Sequence, residues 1–423
     1  MAERAQRTVR DLRRANRTAV LQKLYSDGPM SRQALVPETG LSSGSVSNVV
    51  AELTEEGLLE EAGMVESDGG RPRTLLRVAP SSGFLIGVDV GETRVRVELF
   101  DITLVELARA ERLLTHHQTH RHGYDVDLIV DHIADGIAAV LKGGDVAPDR
   151  LLGIGVGVPG ILDRGGPDGA VVHGQTIGWH AVPLEALLRQ AVQLPAGVRF
   201  FLNNGAKALG QAEMWFGGGR GAKDAVIVLL GSGVGACIVT DGVIHGGERD
   251  SAGEGGHLTV SVRGRRCRCG ARGCLEAYTG AEALLERWQE AGGRPPEGAD
   301  EETAVAALVA AAYPQEAAVP PDPTARSVLE ETAEYLGAGI SDLINLFSPE
   351  RVLIGGWAGL QLGPHLLPAV RAHATAYALA HPAGRVTIDM GTLGPDAVTV
   401  GAATLPLADF FANGGRRGQG PVR

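Results

Sequence analysis

The stretch GEGGHLTVSVRGRRCRCGARGCLE, residues 253–276, most strongly constrains how this chain can fold. It holds one histidine and three of the chain's four cysteines, His257, Cys267, Cys269 and Cys274, in the spacing His-x9-Cys-x-Cys-x4-Cys. One imidazole and three thiolates form a complete tetrahedral ligand set for Zn²⁺. Because the protein would fill all four positions, none is left for water, and the spacing predicts a structural rather than a catalytic zinc.

Cysteine usage and composition indicate the class of protein and its compartment. Three cysteines within eight residues do not form the pattern of a disulfide framework, so a reducing cytoplasm is the expected environment. The 423 residues are 44% hydrophobic and 21% charged, as in soluble globular proteins of several domains. No apolar run approaches the ~18 residues needed to span a bilayer, and the polar N-terminus is not that of a signal peptide. We expect a cytoplasmic protein with no membrane partner.

Charge is distributed unevenly along the chain. The formal net charge is −11, yet residues 1–77 hold eleven basic and eleven acidic residues, so the rest of the chain carries the whole excess. Within residues 1–32, eight basic residues stand against three acidic ones. A locally basic N-terminus on an acidic body predicts a DNA-binding head joined to a different kind of domain.

Residues 16–55 have the pattern of a helix-turn-helix. Apolar positions at helical spacing in NRTAVLQKLYSD predict a first helix, which Gly28 and Pro29 end. SRQALVPETG predicts a second helix capped by Ser31, although Pro37 should kink or shorten it. LSSGSVSNVVAELTEEGLLEE predicts a third helix with a polar face suited to phosphates and base edges. The side chains expected to contact DNA from the second and third helices are Arg32, Ser43, Ser45, Ser47 and Asn48.

A two-stranded wing is predicted directly after the third helix. Its loop, GGRPR, is held extended by glycine and proline, so that Arg71 and Arg73 can lie in a minor groove. The less specific alternative is a small helical interaction domain with a solvated basic face. We predict DNA binding because the helix spacing, the polar face, the wing and the basic loop all agree.

Two similar units recur in the body of the chain. FLIGVDVGETRVRVELFD and DAVIVLLGSGVGACIVTDG each combine an apolar strand, a glycine turn and a returning strand. Glycine turns of this kind let backbone N–H groups approach phosphate. Either unit alone could be a plain hairpin, but the pair predicts duplicated α/β lobes around a nucleotide-like cleft.

These motifs together resemble those of ROK-family transcriptional regulators over essentially the whole chain. The residues that carry the resemblance are GLSSGSVSNVVAELTEEGLL, GGRPR, GVDVGETR, GVGVPG, AGEGGH and CRCGARGCLE. The resemblance implies a winged helix-turn-helix over residues 1–80 and an α/β, actin-like (ribonuclease-H-type), sugar-kinase-like body of two lobes. The first lobe should span residues 84–203, completed by a C-terminal helix at about 398–413. The second lobe should span residues 204–397 and include the zinc loop, the segment that carries the four predicted zinc ligands.

The resemblance also implies a sugar site from which the catalytic base is missing. In the family's kinases an Asn-Asp pair ends a strand, and the Asp takes the proton from the sugar hydroxyl that attacks the γ-phosphate. In FLNNGAKALG, Asn204 corresponds to the Asn and Gly205 to the Asp. A one-residue slip would put Asn204 on the Asp, and an amide is no base either. The residues implied to bind sugar are Asn204, Glu254, His257 and Glu276, for which the alternative role is scaffold hydrogen bonding around the zinc loop.

Two more departures from the kinase pattern concern the nucleotide. The family's Asp-x-Gly-Gly-Thr turn is here DVGET, so Glu92 places negative charge where a triphosphate would approach. Trp357 follows two glycines in a turn that lies near adenosine in the kinases, whereas GSGVG, residues 231–235, still fits the phosphate pattern. We therefore expect no enzyme activity.

The leading hypothesis is a sugar-responsive regulator, in its simplest form a repressor, of carbohydrate-metabolism genes. It would bind a palindromic operator as a homodimer or homotetramer. Sugar or sugar phosphate in the cleft would change lobe closure, and the zinc loop would pass the change to the DNA-binding heads. The alternatives are an ATP-dependent sugar kinase with an appended DNA-binding domain, and a ligand-independent repressor controlled by a protein partner.

Overall fold

Among the described residues, three helices and a three-stranded sheet form the N-terminal head. The computed structural model describes residues 8–67, 70–114, 124–166, 169–195, 197–316 and 319–418. The elements of the head are α1 (Val9–Asp27), β1 (Met30–Ser31), α2 (Arg32–Thr39), α3 (Ser43–Glu55), β2 (Leu59–Ser67) and β3 (Gly70–Val78). The strand order is β1-β3-β2, so the expected two-stranded wing gains a short third strand in which Met30 pairs with Leu76.

Local side chains set the ends of these helices. The hydroxyls of Thr8, Ser31 and Ser42 cap α1, α2 and α3, each accepting a hydrogen bond from a backbone N–H of the first turn. Gly40 ends α2 in the left-handed conformation, with φ of 67°. Pro37 does not end α2, because the helix continues for two more residues and ends before Gly40.

Within the described ranges, two five-stranded sheets form the centre of the body. The first contains β4 (Phe84–Val90), β5 (Arg94–Asp101), β6 (Glu106–Leu113), β7 (Leu151–Val158) and β11 (Phe200–Asn204), and the second contains β12 (Ala225–Leu230), β13 (Val234–Thr240), β14 (Val243–Ile244), β15 (Arg351–Gly355) and β16 (Thr387–Met390). Their orders are β6-β5-β4-β7-β11 and β14-β13-β12-β15-β16. In the first sheet, neighbouring strands among β4, β5 and β6 are antiparallel, whereas β7 and β11 run parallel to β4. In the second sheet, neighbouring strands among β12, β13 and β14 are antiparallel, whereas β15 and β16 run parallel to β12. The repeated topology confirms the predicted duplication.

The rest of the body surrounds these sheets. A third sheet consists of β8 (Ile161–Gly166), β9 (Gly169–Gly174) and β10 (Trp179–Val182) in the order β10-β9-β8. The described helices are α4 (Val126–Gly143), α5 (Leu184–Ala191), α6 (Gly205–Phe216), α7 (Glu276–Thr279), α8 (Ala281–Glu290), α9 (Glu301–Ala312), α10 (Pro323–Phe347), α11 (Trp357–Tyr377), α12 (Ala380–Ala383) and α13 (Ala397–Ala412). No helix in the described part of the chain has the length and apolar character of a membrane span.

Helix α13 returns from the second sheet to pack on the first. A Cβ added to Gly87 of β4 would lie 2.0 Å from the carbonyl oxygen of Thr399, and one added to Gly155 of β7 would lie 1.8 Å from that of Ala402. The two glycines therefore let the helix backbone lie directly on the sheet. The family resemblance implies a C-terminal helix at about residues 398–413, and α13 spans Ala397–Ala412.

The core of the head is continuous with that of the first lobe. Leu21 and Leu24 of α1 share a buried apolar cluster with Phe411 of α13. The buried Arg17 side chain donates a hydrogen bond to the carbonyl oxygen of Gly414 at 2.6 Å. The head is therefore packed against α13.

Candidate ligand cleft and metal centre

A cavity of about 540 Å³ lies between the two lobes. The turns that follow β4, β7 and β12 line it, together with the start of α6 and Trp357 at the start of α11. Open α/β sheets bind ligands at the carboxyl ends of their strands, and the volume lies within the ~300–1,000 Å³ of small-molecule sites. The cavity is therefore the candidate ligand site.

Asn204 ends β11 and caps α6 at the edge of this cavity. Its Oδ1 accepts hydrogen bonds from the N–H groups of Ala206 at 2.8 Å and Lys207 at 3.3 Å. Its Nδ2 donates to the carbonyl oxygen of Gly160 at 2.9 Å. Both ends of the amide are thus engaged in the scaffold, which leaves the second N–H of Nδ2 for a ligand.

Gly205, the first residue of α6, also lines the cavity. It is not among the glycines with positive φ, so its backbone conformation does not require glycine. A Cβ at this position would meet only the carbonyl oxygen of Val158 and Cγ1 of Val398, both at 3.9 Å. Neither the backbone conformation nor the packing requires glycine at position 205. The Cβ of an aspartate would fit there, so the absence of an acid changes the chemistry of the site without being needed for the fold.

Glu254 and His257 come from the GEGGH run, which crosses the start of β13. A Cβ on Gly256 would lie 2.0 Å from the carbonyl oxygen of Val234, so glycine is what lets the run approach the strand. Both Glu254 and His257 line the cavity. Burial raises the pKa of Glu254, whose carboxylate forms no hydrogen bond with the described residues. It can therefore accept hydrogen bonds from a ligand.

Glu276, at the start of α7, lies between the cysteine loop and the glycine turn after β12. Its Oε2 accepts a hydrogen bond from the N–H of Val234 at 3.0 Å, and its Oε1 lies 3.5 Å from Sγ of Cys267. The side chain is only 7% exposed, although it borders the cavity. Most of its hydrogen-bonding capacity is therefore used within the protein.

The structure brings His257, Cys267, Cys269 and Cys274 together. Their ligand atoms all lie within 4.8 Å of one another, with 3.8 Å from His257 Nδ1 to Cys267 Sγ and 3.8 Å between the Sγ atoms of Cys269 and Cys274. Zn–S bonds of 2.3 Å in a tetrahedron require sulfur atoms about 3.8 Å apart. The donor set and its spacing thus fit a tetrahedral metal ion.

Tight turns and burial shape this cysteine loop, residues 257–276. Gly273 has φ of 78°, and a Cβ on it would lie 1.8 Å from the carbonyl oxygen of Ser261. Burial raises the pKa values of the Cys267 and Cys274 thiols, so their thiolates need a positive partner. A bound metal cation would supply it.

Arg268 of the cysteine loop contacts Glu92 in the turn after β4, a relationship that the sequence did not reveal. Its Nη1 and Nη2 donate to the two carboxylate oxygens of Glu92, the second at 3.1 Å. The same guanidinium pairs with Glu282 at 2.9 Å and lies 3.6 Å from Glu276. Burial raises the pKa of Glu92, an effect that Arg268 opposes. No spacing rule connects residues 176 positions apart.

The sequence also missed the side of the cleft formed by β9 and β10. These strands and their connection contribute no recognisable motif. The cavity-lining residues from this region are His173, Gln175, Thr176, Trp179 and His180. They supply imidazole, amide and hydroxyl groups suited to a polyol.

The predicted DNA-contacting residues lie on α2, α3 and β3. Those with exposed side chains are Arg32, Ser43, Ser47, Asn48 and Arg73. Ser45 is half-buried, and its Oγ lies 2.9 Å from that of Ser42. Arg71 belongs to β3, but its side chain lies outside the described residues.

Ion pairs neutralise much of the positive charge in the head. The basic residues paired with carboxylates of the head are Arg13, Arg14, Arg17 and Lys23. Lys23, for example, contacts Asp27 at 2.6 Å and Glu38 at 2.7 Å. The excess of basic residues near the N-terminus is therefore a weaker sign of DNA binding than its number suggests.

Fold and site define a two-lobed, actin-like α/β body with a Cys/His cluster beside the cleft, joined to a helix-turn-helix. The sequence model of the ROK family matches residues 85–408, and the chain belongs to this family. The predicted family and the predicted fold class are thus confirmed.

Known proteins resemble the chain over different lengths. The xylose repressor of Caldicellulosiruptor bescii is 28% identical over 404 residues, which cover 95% of this chain and 97% of that protein. The glucokinase of Halalkalibacterium halodurans is 33% identical over 330 residues, 77% of this chain and 95% of that enzyme. A crystal structure of a ROK-family transcriptional regulator, a homologue of the Escherichia coli MLC protein, has a TM-score of 0.73 at 24% identity and covers 96% of this chain and 98% of its own.

Proposed function

We propose that the chain is a sugar-responsive transcriptional repressor of carbohydrate-metabolism genes, with the kinase-like body acting as a ligand sensor. The observation that carries the proposal is a helix-turn-helix head packed on a sugar-kinase-like body in which Gly205 stands in place of a base. Similarity to the xylose repressor extends over 95% of the chain, whereas similarity to the glucokinase covers 77%. The shorter match has the length of the body without the head.

The proposed body binds sugar without transferring phosphate to it. Glu254 would accept hydrogen bonds from sugar hydroxyls, and Asn204 would donate one through its remaining N–H. Glu276 would act mainly by holding the glycine turn and the cysteine loop in place. Gly205 has no group that could take a proton from a sugar hydroxyl.

We further propose that His257, Cys267, Cys269 and Cys274 hold a structural Zn²⁺. The imidazole Nδ1 lies beside Cys267, which leaves Nε2 to hydrogen-bond a sugar hydroxyl. One ring would then join the metal centre to the ligand. The metal would order the loop from which Arg268 contacts the other lobe.

Helix α13 offers a direct route from the cleft to the head. Val398, in its first turn, lines the cavity, and Phe411, near its end, packs against α1. Its 16 residues span about 24 Å. A change in lobe closure that displaces this helix would reposition the head, in addition to any effect through the cysteine loop.

The head would bind a palindromic operator as part of a homodimer or homotetramer in the cytoplasm. Arg32, Ser43, Ser47 and Asn48 would face the DNA from α2 and α3, Ser45 would support that face, and Arg71 and Arg73 would contact it from the wing. The proposed domains are residues 1–80, residues 84–203 with α13, and residues 204–397.

A sugar kinase with an appended DNA-binding domain is the second candidate. The 33% identity to a glucokinase and the glycine turn at residues 231–235 favour it. A ligand-independent repressor controlled by a protein partner is the third candidate, because Asn204 and Glu276 are largely engaged within the protein.

The experiment uses the full-length protein and three readouts. DNA selected by the protein from a random duplex pool should contain an inverted repeat, and a sugar from a panel of pentoses, hexoses and N-acetylhexosamines should change the affinity for that DNA. A coupled ADP-release assay over the same panel should show no turnover. Turnover would favour the kinase, and unchanged DNA affinity with every sugar would favour the partner-controlled repressor.

A further inference from the structure

The glycine turn after β12 already contains an anion supplied by the protein. The N–H of Val234 donates to Oε2 of Glu276 at 3.0 Å. A Cβ on Gly233 would lie 2.5 Å from the same carboxylate oxygen and 2.7 Å from Nη2 of Arg268. Backbone N–H groups in such turns are what a bound phosphate would use. An entering phosphate would therefore have to displace Glu276.

Further carboxylates surround this turn. Glu301 of α9 bonds the hydroxyl of Ser232, and Glu282 pairs with Arg268 at 2.9 Å. Arg268 also binds Glu92. The Arg268 guanidinium therefore pairs with several carboxylates at once. Arg268 is the side chain beside the turn that would attract a phosphate, and its charge is already neutralised.

The two arginines in the described lining of the cavity, Arg94 and Arg96, are engaged as well. Arg94 binds Glu111 at 3.0 Å and also contacts Glu302, while Arg96 binds Glu111 at 2.9 Å. Apart from histidines, the charged residues in the described lining are Asp89, Glu92, Glu254, Glu276 and Glu302 against Arg94 and Arg96. The lining thus has a negative balance, which repels phosphate groups.

We propose that the cleft takes an uncharged sugar and rejects both sugar phosphates and nucleotides, with Glu92 as the specificity-determining residue. The inference rests on the proposed sugar-sensing function and narrows the ligand from "sugar or sugar phosphate" to the unphosphorylated form. Glu92 acts by keeping Arg268 engaged and by adding its own charge beside the turn. The hydroxyl, amide and imidazole groups of the cleft remain for an uncharged polyol.

The first arm of the test measures ligand binding to the full-length wild-type protein by calorimetry. Each hexose and N-acetylhexosamine is tested beside its 6-phosphate, together with pentoses, Mg-ATP and pyrophosphate. An uncharged sugar should bind at least about tenfold more tightly than its phosphate ester, and millimolar ATP or pyrophosphate should not bind. This arm needs no variant, so a folding defect cannot obscure it.

The second arm tests Glu92 directly. Glu92→Gln keeps the shape of the side chain and removes its charge, so one of the carboxylates that neutralise Arg268 is lost and pyrophosphate binding should strengthen by at least about tenfold. Glu286→Gln removes the same charge from the exposed face of α8, where Glu286 lies 3.7 Å from Arg265, and should leave pyrophosphate binding unchanged. Circular dichroism checks that both variants fold.

The outcomes separate the inference from the function on which it rests. Preferential binding of a phosphate ester that changes DNA affinity would overturn the inference while leaving a sugar-responsive repressor. Wild-type protein that binds pyrophosphate as tightly as Glu92→Gln would also overturn it. No binding of either form, with unchanged DNA affinity, would overturn the sugar-sensing function itself.

Discussion

Arg268 in the cysteine loop binds both carboxylate oxygens of Glu92, in the turn after β4, and so joins the candidate metal centre to the first lobe across the ligand cleft. The guanidinium is largely buried and also pairs with Glu282 at 2.9 Å. This contact connects the cysteine loop to the other lobe, which the cysteine spacing alone does not suggest.

Replacing Arg268 should be costly because it would leave several carboxylates in the cleft without their shared cation. We expect Arg268→Met to lower the free energy of unfolding by about 3–5 kcal/mol, measured by urea titration. Arg265→Met, on the same loop, removes a more exposed ion pair with Glu290 and should cost less than about 1 kcal/mol. Equal losses from the two substitutions would contradict the special position of Arg268.

The cysteine cluster should lose its metal when one ligand is changed. Cys269→Ser should reduce bound zinc, measured by plasma mass spectrometry on protein purified without chelator, and should weaken binding of the sensed sugar. Cys237→Ser is the matched control, because Cys237 is buried on β13 and does not belong to the cluster. Full metal content in Cys269→Ser, or metal-free wild-type protein with full ligand binding, would refute the zinc assignment.

Restoring an acid at Gly205 tests why the body would not phosphorylate sugar. Gly205→Asp should fold, since a Cβ there makes only 3.9 Å contacts, yet the single variant should show no ADP release because Glu92 still excludes nucleotide. Combining it with Glu92→Gly should give more turnover than either single variant. Turnover by the wild-type protein would instead favour the kinase hypothesis.

The wing should contribute to DNA affinity through its basic residues. Arg73→Ala should weaken binding at moderate salt and reduce the slope of log affinity against log salt by about one. The same result is expected for Arg71→Ala. Arg77→Ala, on the same strand, is the control, because Arg77 pairs with Glu60 at 2.6 Å and its charge is already neutralised. Equal effects from Arg73→Ala and Arg77→Ala would count against contact between the wing and DNA.

Glu98 should make stability depend on pH. Glu98, Glu106 and Asp396 lie close together, and the Arg109 guanidinium pairs with all three. Arg109 lies 3.1 Å from Glu98 and 2.7 Å from both Glu106 and Asp396. Burial raises the pKa of Glu98 from 4.5 to about 7. Its stabilising contribution is therefore complete below pH 4.5 and is lost as pH rises through 7.

The measurement for Glu98 compares unfolding free energies at pH 5 and pH 8. Between these values the wild type should lose up to about 3 kcal/mol relative to Glu98→Gln, which cannot ionise. Parallel pH profiles for the two proteins would contradict the raised pKa.

Much of the fold follows from local patterns in the sequence. The hydroxyl caps, the glycine that ends α2 and the apolar strand units depend on neighbouring residues, and these could be predicted. The position of Asn204 at the end of a strand was equally readable. The hydrogen bond from Asn204 to the carbonyl oxygen of Gly160 could not be predicted, because it depends on how the ends of two strands meet.

Charge patterns were harder to interpret from sequence than hydrophobic ones. The basic residues of the head suggested free positive charge, whereas Arg13 pairs with Glu52 of α3 at 2.8 Å. Apolar periodicity reflects burial on one face of a helix or strand, so it can be read from the sequence of that element alone. Ion pairing depends on which elements become neighbours, and composition does not contain that information.

By itself, the sequence determined the local elements, the repeated strand units, the tetrahedral donor set of the cysteine loop and the absence of an acid at Gly205. The tertiary structure alone decided that Arg268 meets Glu92, that Glu276 occupies the glycine turn and that α13 joins the cleft to the head. The physical reason is the distance along the chain over which each interaction acts. Helix caps, apolar periodicity and the cysteine loop depend on residues that are close in sequence. Electrostatic contacts across a cleft exist only after two lobes have folded and packed together.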